Sequence, residues 1–208
     1  MRALLCAMAV LAVVSAASGQ NLVVNGTFDT DLTGWNKWAA SWGGGTSDVL
    51  VDGGLAWHFN EDSQGSAGIY QFVPVPVGAE LTLNAQWAGT ANNGWAEVLA
   101  IPVPNTSVDV LDALDSGPNV GAAIRVKHEE VDWGHPYGED FSTPRWLSEE
   151  SPNSILNPLT FTATEPYVLL ATKVGNNANF WIDNITLTPE PASLFLLALG
   201  LPLLRRRH

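Results

Sequence analysis

Residues 80–87 read Glu-Leu-Thr-Leu-Asn-Ala-Gln-Trp, and apolar and polar side chains alternate through this whole stretch. Successive side chains of a β-strand point to opposite faces, so a period of two gives the strand one apolar face. That face carries Leu81, Leu83, Ala85 and Trp87. A strand that is apolar on one face only is typical of an antiparallel sheet covering a core on one side.

Eight further segments have the composition of short strands, and clusters of Gly, Pro, Asn and Asp separate them. These segments are residues 21–24, 48–51, 55–59, 69–73, 96–101, 159–163, 167–174 and 179–188. Nothing in their order indicates a βαβ unit. We therefore predict an all-β fold, either an antiparallel sandwich or a barrel.

The region between Pro102 and Pro158 departs from this pattern. One short helix is predicted over residues 108–114, capped by Thr106 and Ser107. Val110, Leu111 and Leu114 would share one side of this helix. The rest is too long for an ordinary connection, which predicts a functional or decorated loop region.

The charge of the chain is strongly acidic, with nine Lys and Arg against twenty-one Asp and Glu. Without the terminal residues Arg2, Glu190 and Arg205–Arg207, five basic and twenty acidic residues remain. Nucleic-acid binding needs clustered Lys and Arg, so the composition argues against it. The single cysteine, Cys6, lies in an apolar N-terminal run, which excludes a disulfide framework and a cysteine-ligated zinc site in the rest of the chain.

Both ends of the chain read as targeting segments. Residues 1–19 combine a positive start, an apolar run and a small-residue region, the order of a secretory signal peptide. Cleavage after Ala17 or after Gly19 fits this pattern equally well. At the other end, Pro189, Glu190 and Pro191 precede the apolar run 192–204 and three arginines.

The apolar run 192–204 is short for a transmembrane helix. At about 1.5 Å per residue it spans roughly 20 Å, whereas the hydrocarbon core of a bilayer is roughly 30 Å thick. It is therefore a marginal anchor. Arg205, Arg206 and Arg207 are predicted to stop translocation and to stay in the cytoplasm, which leaves the preceding residues outside.

The order Pro-Glu-Pro, short apolar helix and terminal arginine cluster resembles the PEP-CTERM sorting signal of Gram-negative bacteria that make extracellular polysaccharide. The resemblance covers residues 189–208 and implies an exosortase-type membrane enzyme as a partner that processes the chain. It also implies export across the inner membrane, anchoring by the C-terminal helix, and a final place at the cell surface or in the extracellular matrix.

A second resemblance concerns residues 20–188. The opening residues 21–29 (NLVVNGTFD) with 32–35 (LTGW), and the closing residues 179–187 (NFWIDNITL), are similar to the first and last strands of galactose-binding-like jelly rolls, which include carbohydrate-binding modules. The resemblance implies a jelly-roll β-sandwich, often with structural calcium. In those modules the positions matching Asp29 and Asp183 lie near the calcium ion.

The alternation in residues 179–188 adds a physical reason to consider Asp183. This residue shares strand parity with Trp181, Ile185 and Leu187, and the parity predicts that all four face the core. A buried carboxylate needs a hydrogen-bond partner, an ion-pair partner or a metal. Asp29 and Asp183 are therefore candidate calcium ligands, and a carboxylate capped by backbone N–H groups is the alternative.

Tryptophan is abundant, with nine residues in the chain. Exposed aromatic rings can stack on sugars. Trp133, Tyr137 and Trp146 lie in the irregular region among charged residues and are the candidate carbohydrate-binding residues, whereas Trp87 and Trp181 have core parity.

The sequence leaves three functions open. The first is an exported, non-catalytic component with a structural or polysaccharide-associated role. The second is a carbohydrate-binding module with a defined glycan site, which requires coplanar exposed aromatic rings. The third is a glycoside hydrolase, which requires two carboxylates facing each other across a groove. No motif with a catalytic mechanism is present, so we predict that the chain is not an enzyme.

Overall fold

The computed structural model describes residues 19–40, 50–51, 57–60, 66–91, 95–115, 121–129, 145–149, 159–175 and 178–190. Within them lie eleven β-strands and the helix α1 (Val110–Asp115), with one 3-10 turn at Leu147–Glu149. In chain order the strands are β1 (Asn36–Ala39), β2 (Leu50–Val51), β3 (Trp57–Asn60), β4 (Ser66–Pro74), β5 (Glu80–Ala91), β6 (Trp95–Val103), β7 (Ile124–Glu129), β8 (Arg145–Trp146), β9 (Thr160–Thr162), β10 (Tyr167–Gly175) and β11 (Ala178–Pro189).

The strands form two sheets in which all neighbours are antiparallel. One sheet has five strands in the order β1-β4-β10-β6-β7. The other has six, with β2-β3-β11-β5-β8 in a row and β9 paired to another part of β5. The prediction of an all-β antiparallel sandwich is confirmed.

The main core lies between the two sheets. All four apolar residues predicted for one face of residues 80–87 are buried in it. Trp87 meets Phe180 of β11 edge to face, with ring centroids 5.9 Å apart. The five-stranded sheet contributes Ile69, Val73, Val168 and Leu170 from its inner face. Since full burial of one such side chain is worth about 1.5–3 kcal/mol, this layer dominates the stability of the domain.

Residues 21–24 do not form the predicted strand but lie in an irregular segment. The Leu22 N–H donates to the Leu187 carbonyl of β11 at 2.9 Å. The side chain of Asn21 adds two bonds to the same strand: its amide donates to the Ile185 carbonyl at 3.0 Å, and its oxygen accepts from the Leu187 N–H at 3.0 Å. Gln71, which is buried on β4, fixes the same segment by accepting from the Val24 N–H and donating to its carbonyl. Polar side chains therefore add to a single backbone bond from Leu22 at a place where the apolar pattern predicted a regular strand.

Three strands were not predicted, namely β1, β7 and β8. The strand β7 alternates Ile124 and Val126, which are buried in the core, with Arg125 and Lys127 on the outer face. It lies inside the region that the sequence predicts to be a loop. The strand was not predicted because the charged residues of its outer face give the segment the composition of a loop.

A β-bulge interrupts β11. Asp183 pairs with Gln86 and Thr186 with Asn84, so β11 carries one more residue than β5 between these pairs. Asn184 occupies the bulge with a φ of 51°, a left-handed conformation that asparagine tolerates. The extra residue reverses the strand parity, and Ile182, Ile185 and Leu187 all face the core.

The prediction that Trp181 and Asp183 face the core is therefore wrong. Both lie before the bulge and point to the outer face of the six-stranded sheet, opposite in register to Ala88 and Gln86 of β5. Both are nevertheless buried. Ile185, immediately after the bulge, donates its N–H to the Gly26 carbonyl at 2.9 Å. A side chain at Gly26 would collide with the Ile185 carbonyl, so the contact needs glycine.

The predicted helix is present, but it starts at Val110, and its N-cap is Asp109 rather than Thr106 or Ser107. The Asp109 carboxylate accepts from the Asp112 N–H at 3.1 Å. Leu114 is fully buried, whereas Leu111, predicted on the same side, is 42% exposed. The helix packs on the outer face of the five-stranded sheet and closes a second apolar cluster with Trp38, Leu99, Ile101, Val103, Leu169 and Ala171.

The predicted signal peptide and most of the predicted tail lie outside the described residues, and Pro191, Arg205, Arg206 and Arg207 are among them. No helix in the described part of the chain is long and apolar enough to span a bilayer. The strand β11 continues through Pro189, and Glu190 follows it directly. The first two residues of the predicted sorting motif thus belong to the sandwich.

Candidate functional site

Asp29 and Asp183, which are far apart in the sequence, lie near enough to each other for the charge of Asp29 to raise the pKa of Asp183. The bulge turns the Asp183 carboxylate outward, and the contact between Gly26 and Ile185 holds the turn that carries Asp29 beside it. Phe28, which precedes Asp29, is fully buried and has a φ of 48°. A buried anchor and a left-handed backbone therefore place the exposed Asp29 side chain.

The two carboxylates differ in their partners. Asp29 accepts a hydrogen bond from the Thr27 hydroxyl at 2.8 Å. One oxygen of Asp183 accepts from the Asn184 side-chain amide at 3.2 Å, while its other oxygen, Oδ1, is buried and has no hydrogen-bond partner among the described residues. Asn184 also donates to the Gln86 side chain at 2.6 Å. A buried anionic oxygen without a donor is costly unless it is protonated or bound to a cation.

The environment of Asp183 disfavours a negative charge on its carboxyl group. Burial raises the pKa of Asp183 to about 6, a hydrogen bond from the Asn184 backbone opposes the shift, and the negative charge of Asp29 adds to it. A buried carboxylate whose pKa is raised by burial and by a nearby negative charge suits a cation with oxygen ligands. Within the described ranges no group of three or more His, Cys, Asp or Glu surrounds a point. Among the described residues, further ligands would be carbonyl or amide oxygens.

Of the three candidate sugar-binding aromatics, only Trp146 belongs to the described residues, and Trp133 and Tyr137 fall outside them. Trp146 is half-buried on β8 and pairs in register with Gln86 of β5. The backbone N–H of Trp146 donates to the Glu149 carboxylate at 3.0 Å. Gln86 also lies opposite Asp183, so Trp146 stands in the same cross-strand row as Asp183.

A second polar surface lies on the outer face of the five-stranded sheet, beyond the cluster that α1 covers. Lys173, Glu97 and Lys127 stand opposite one another across β10, β6 and β7. Glu97 is buried and forms an ion pair with Arg125, with Nη2 and Oε1 2.5 Å apart. We call these four residues and Trp95 the cationic corner, because three of the five basic residues between the terminal segments meet there.

Trp95 gives the cationic corner an aromatic surface. Its ring is half-buried, and the Lys173 ammonium lies 5.2 Å from the ring centroid while donating to the Leu114 carbonyl at 2.7 Å. The parity of residues 95–103 could have indicated that Trp95 and Glu97 share the outer face. Nothing in the sequence could have brought Arg125, Lys127 and Lys173 beside them, because that requires the strand register.

Comparisons with known proteins agree with this fold. No family model matches the sequence, and no curated protein matches it. A family 61 carbohydrate-binding module solved with β-1,4-galactotriose is 12% identical, with 83% of this chain and 100% of that chain covered and a TM-score of 0.50. A family 4 carbohydrate-binding module is 16% identical, with 81% and 99% covered and a TM-score of 0.50. The chain thus has the jelly-roll fold of carbohydrate-binding modules.

The raised pKa of Asp183 predicts a pH-dependent stability in metal-free protein. In the unfolded chain the carboxyl titrates near 3.8, and in the folded domain near 6, so between these values the folded state binds more protons. The free energy of unfolding therefore falls as the pH rises through this window, by up to about 3 kcal/mol at 1.36 kcal/mol per pKa unit.

The measurement is urea unfolding with EDTA at a series of pH values, for the wild type and for Asp183→Asn. The variant should lack this component, so the stability of the wild type relative to the variant should fall with rising pH. A difference between the two that stays constant across the window would contradict the assignment.

Proposed function

We propose that the chain is an exported, non-catalytic polysaccharide-binding protein, which favours the glycan-binding alternative over a purely structural role. The observation that carries the proposal is the jelly-roll sandwich shared with two carbohydrate-binding modules, one of them solved with a bound galactotriose. Both neighbours are binding modules, which supports a role without catalysis.

The cationic corner is the proposed contact surface for the glycan. An aromatic ring offers an apolar face to the C–H groups of a sugar, and Trp95 is the half-buried ring of this surface. Lys127 is partly exposed and can hydrogen-bond hydroxyl or carboxylate groups, while the buried Glu97 and its partner Arg125 hold each other in fixed positions. Small-molecule sites commonly combine an apolar contact with a few fixed polar groups in this way.

Replacement of the aromatic ring tests this surface. We expect Trp95→Ala to weaken binding by about tenfold or more, equivalent to roughly 1.4 kcal/mol, because the stacking surface is lost. Affinity electrophoresis in gels containing a β-glucan, a galactan or a polyuronate measures the effect, and thermal unfolding checks the fold.

Trp146→Ala, on the opposite sheet, is the matched control and should bind as the wild type does. If Trp146→Ala loses binding while Trp95→Ala retains it, the site lies with the aromatic residues predicted from the sequence. If none of the three polysaccharides retards the wild type, the glycan-binding function is wrong for these glycans.

We also propose that Asp29 and Asp183 hold a structural calcium ion. The support is the unpartnered buried oxygen of Asp183, the nearby charge of Asp29 and the preference of calcium for several oxygen ligands. Bound calcium would neutralise the pair and would tie the N-terminal turn to β11. Its role would be structural, because it would join two distant parts of the chain.

Calcium should stabilise the EDTA-treated protein in a thermal unfolding assay. At a hundredfold excess over Kd the gain is about 2.7 kcal/mol, or roughly 5–10 °C in a domain of this size. Asp183→Asn should abolish the shift. Asp31→Asn should keep it, because Asp31 is exposed and its carboxylate accepts from the Thr33 N–H. Equal shifts in the wild type and in Asp183→Asn would rule out this site.

We propose further that residues 189–208 act as a PEP-CTERM-like sorting signal that an exosortase-type enzyme processes. The support is the order of the motif, the apolar run and the arginine cluster after an N-terminal segment with signal-peptide character. The domain would then be delivered outside the inner membrane, where extracellular polysaccharide is available.

Intact mass and cell fractionation of the native chain test the sorting proposal. The native chain should be trimmed near Pro191 and leave the inner membrane. Replacement of Pro189, Glu190 and Pro191 by Ala, or of the three arginines by Ala, should keep the chain in the inner membrane or change how its tail is processed. If all three proteins keep the full tail and the same location, the segment is an ordinary weak anchor.

A further inference from the structure

The last strand of the sandwich ends inside the predicted sorting motif. Pro189 is buried and pairs in register with Leu81 of β5. The Glu190 N–H donates to the Glu80 carbonyl at 2.8 Å, and the Glu190 carboxylate accepts from the Thr82 hydroxyl at 2.6 Å. We call this set of contacts the Glu190 clasp.

The clasp uses the groups that a processing enzyme would need. Extended peptides are commonly recognised through main-chain hydrogen bonds together with pockets for alternate side chains. In the folded domain the Glu190 N–H is already bonded, its carboxylate is held by Thr82, and the Pro189 ring is buried. An enzyme that engages the main chain at Glu190 or the Pro189 ring would therefore have to disturb the sheet.

We propose that the folded domain withholds its own sorting motif, and that the Glu190 clasp must open before the motif can be processed. This inference rests on the proposed sorting function. The position of β11 supports it, because β11 lies between β3 and β5, so the sheet is complete only when this C-terminal strand has been added. An enzyme can therefore bind Pro189 and Glu190 only while the end of β11 is not paired with β5, either before the strand has been added or after its end has opened.

The clasp is also placed where opening is easiest. Pro189 has no N–H, so within the described residues the last backbone donor that ties this end to β5 is that of Glu190. Strand ends open locally at much lower free energy than the centre of a sheet. The short hydrogen bond from Thr82 to a carboxylate opposes that opening. Thr82 thus sets how often the motif is accessible.

The test compares Thr82→Val, which keeps the shape but removes the donor, with Thr82→Ser, which keeps the donor. A third chain carries a Gly/Ser segment of about six residues inserted after Thr188, which moves the motif out of the sheet. Pulse-chase labelling of the full chain in a host that trims such tails measures the initial processing rate. Hydrogen exchange of the purified full chain measures opening at Glu190.

The tail of Thr82→Val should be processed severalfold faster than that of the wild type, and the Glu190 N–H should exchange severalfold faster. Thr82→Ser should behave as the wild type, and the insertion chain should process fastest. Faster exchange in Thr82→Val with no change in processing, or an insertion chain processed at the wild-type rate, would overturn the clasp. If no chain is processed at all, the sorting function itself is wrong, and the inference fails with it.

Discussion

The bulge at Asn184 is the constraint on which the rest of this domain depends. It lies in β11, which pairs with β5 along most of its length and carries core residues on both sides of the bulge. The single extra residue lets Ile182 and Ile185 both enter the core and leaves Asp183 on the outer face. Gly26 can approach the bulge because it has no side chain, and its contact with Ile185 fixes the position of the N-terminal turn.

The sequence predicts the structure well only where its apolar residues follow a regular period. Unbroken alternation in residues 80–87 was enough to predict β5 and its inner face, because an uninterrupted strand obeys a period of two. The same rule misplaced Trp181 and Asp183, because a bulge shifts parity and leaves no mark in the hydrophobic pattern. The strand β7 was missed because its charged outer positions resemble a loop. The helix was predicted to start at Val108, two residues too early, which placed Asp109 inside the helix and assigned the cap to Thr106 and Ser107.

The candidate sites divide in the same way. Strand parity drew attention to Asp183, but Asp29 and Asp183 could be paired from the sequence only through the resemblance to jelly rolls, since some 150 residues separate them. The cationic corner depends on the register of three strands, in which Glu97 meets Lys127 on one side and Lys173 on the other. No local pattern encodes that register. It follows from the order of strands in the sheet, which is a property of the whole fold.

The way the chain leaves the domain has a mechanical consequence. The residues after Glu190 continue directly from β11, which pairs with β5 over nearly its full length and lies inside the sheet rather than at its edge. Tension applied through these residues would pull along the strand and load many ladder hydrogen bonds at once, instead of opening them one after another as at a free edge. A domain held from this end would therefore resist flow and drag far better than its free energy of unfolding alone would indicate.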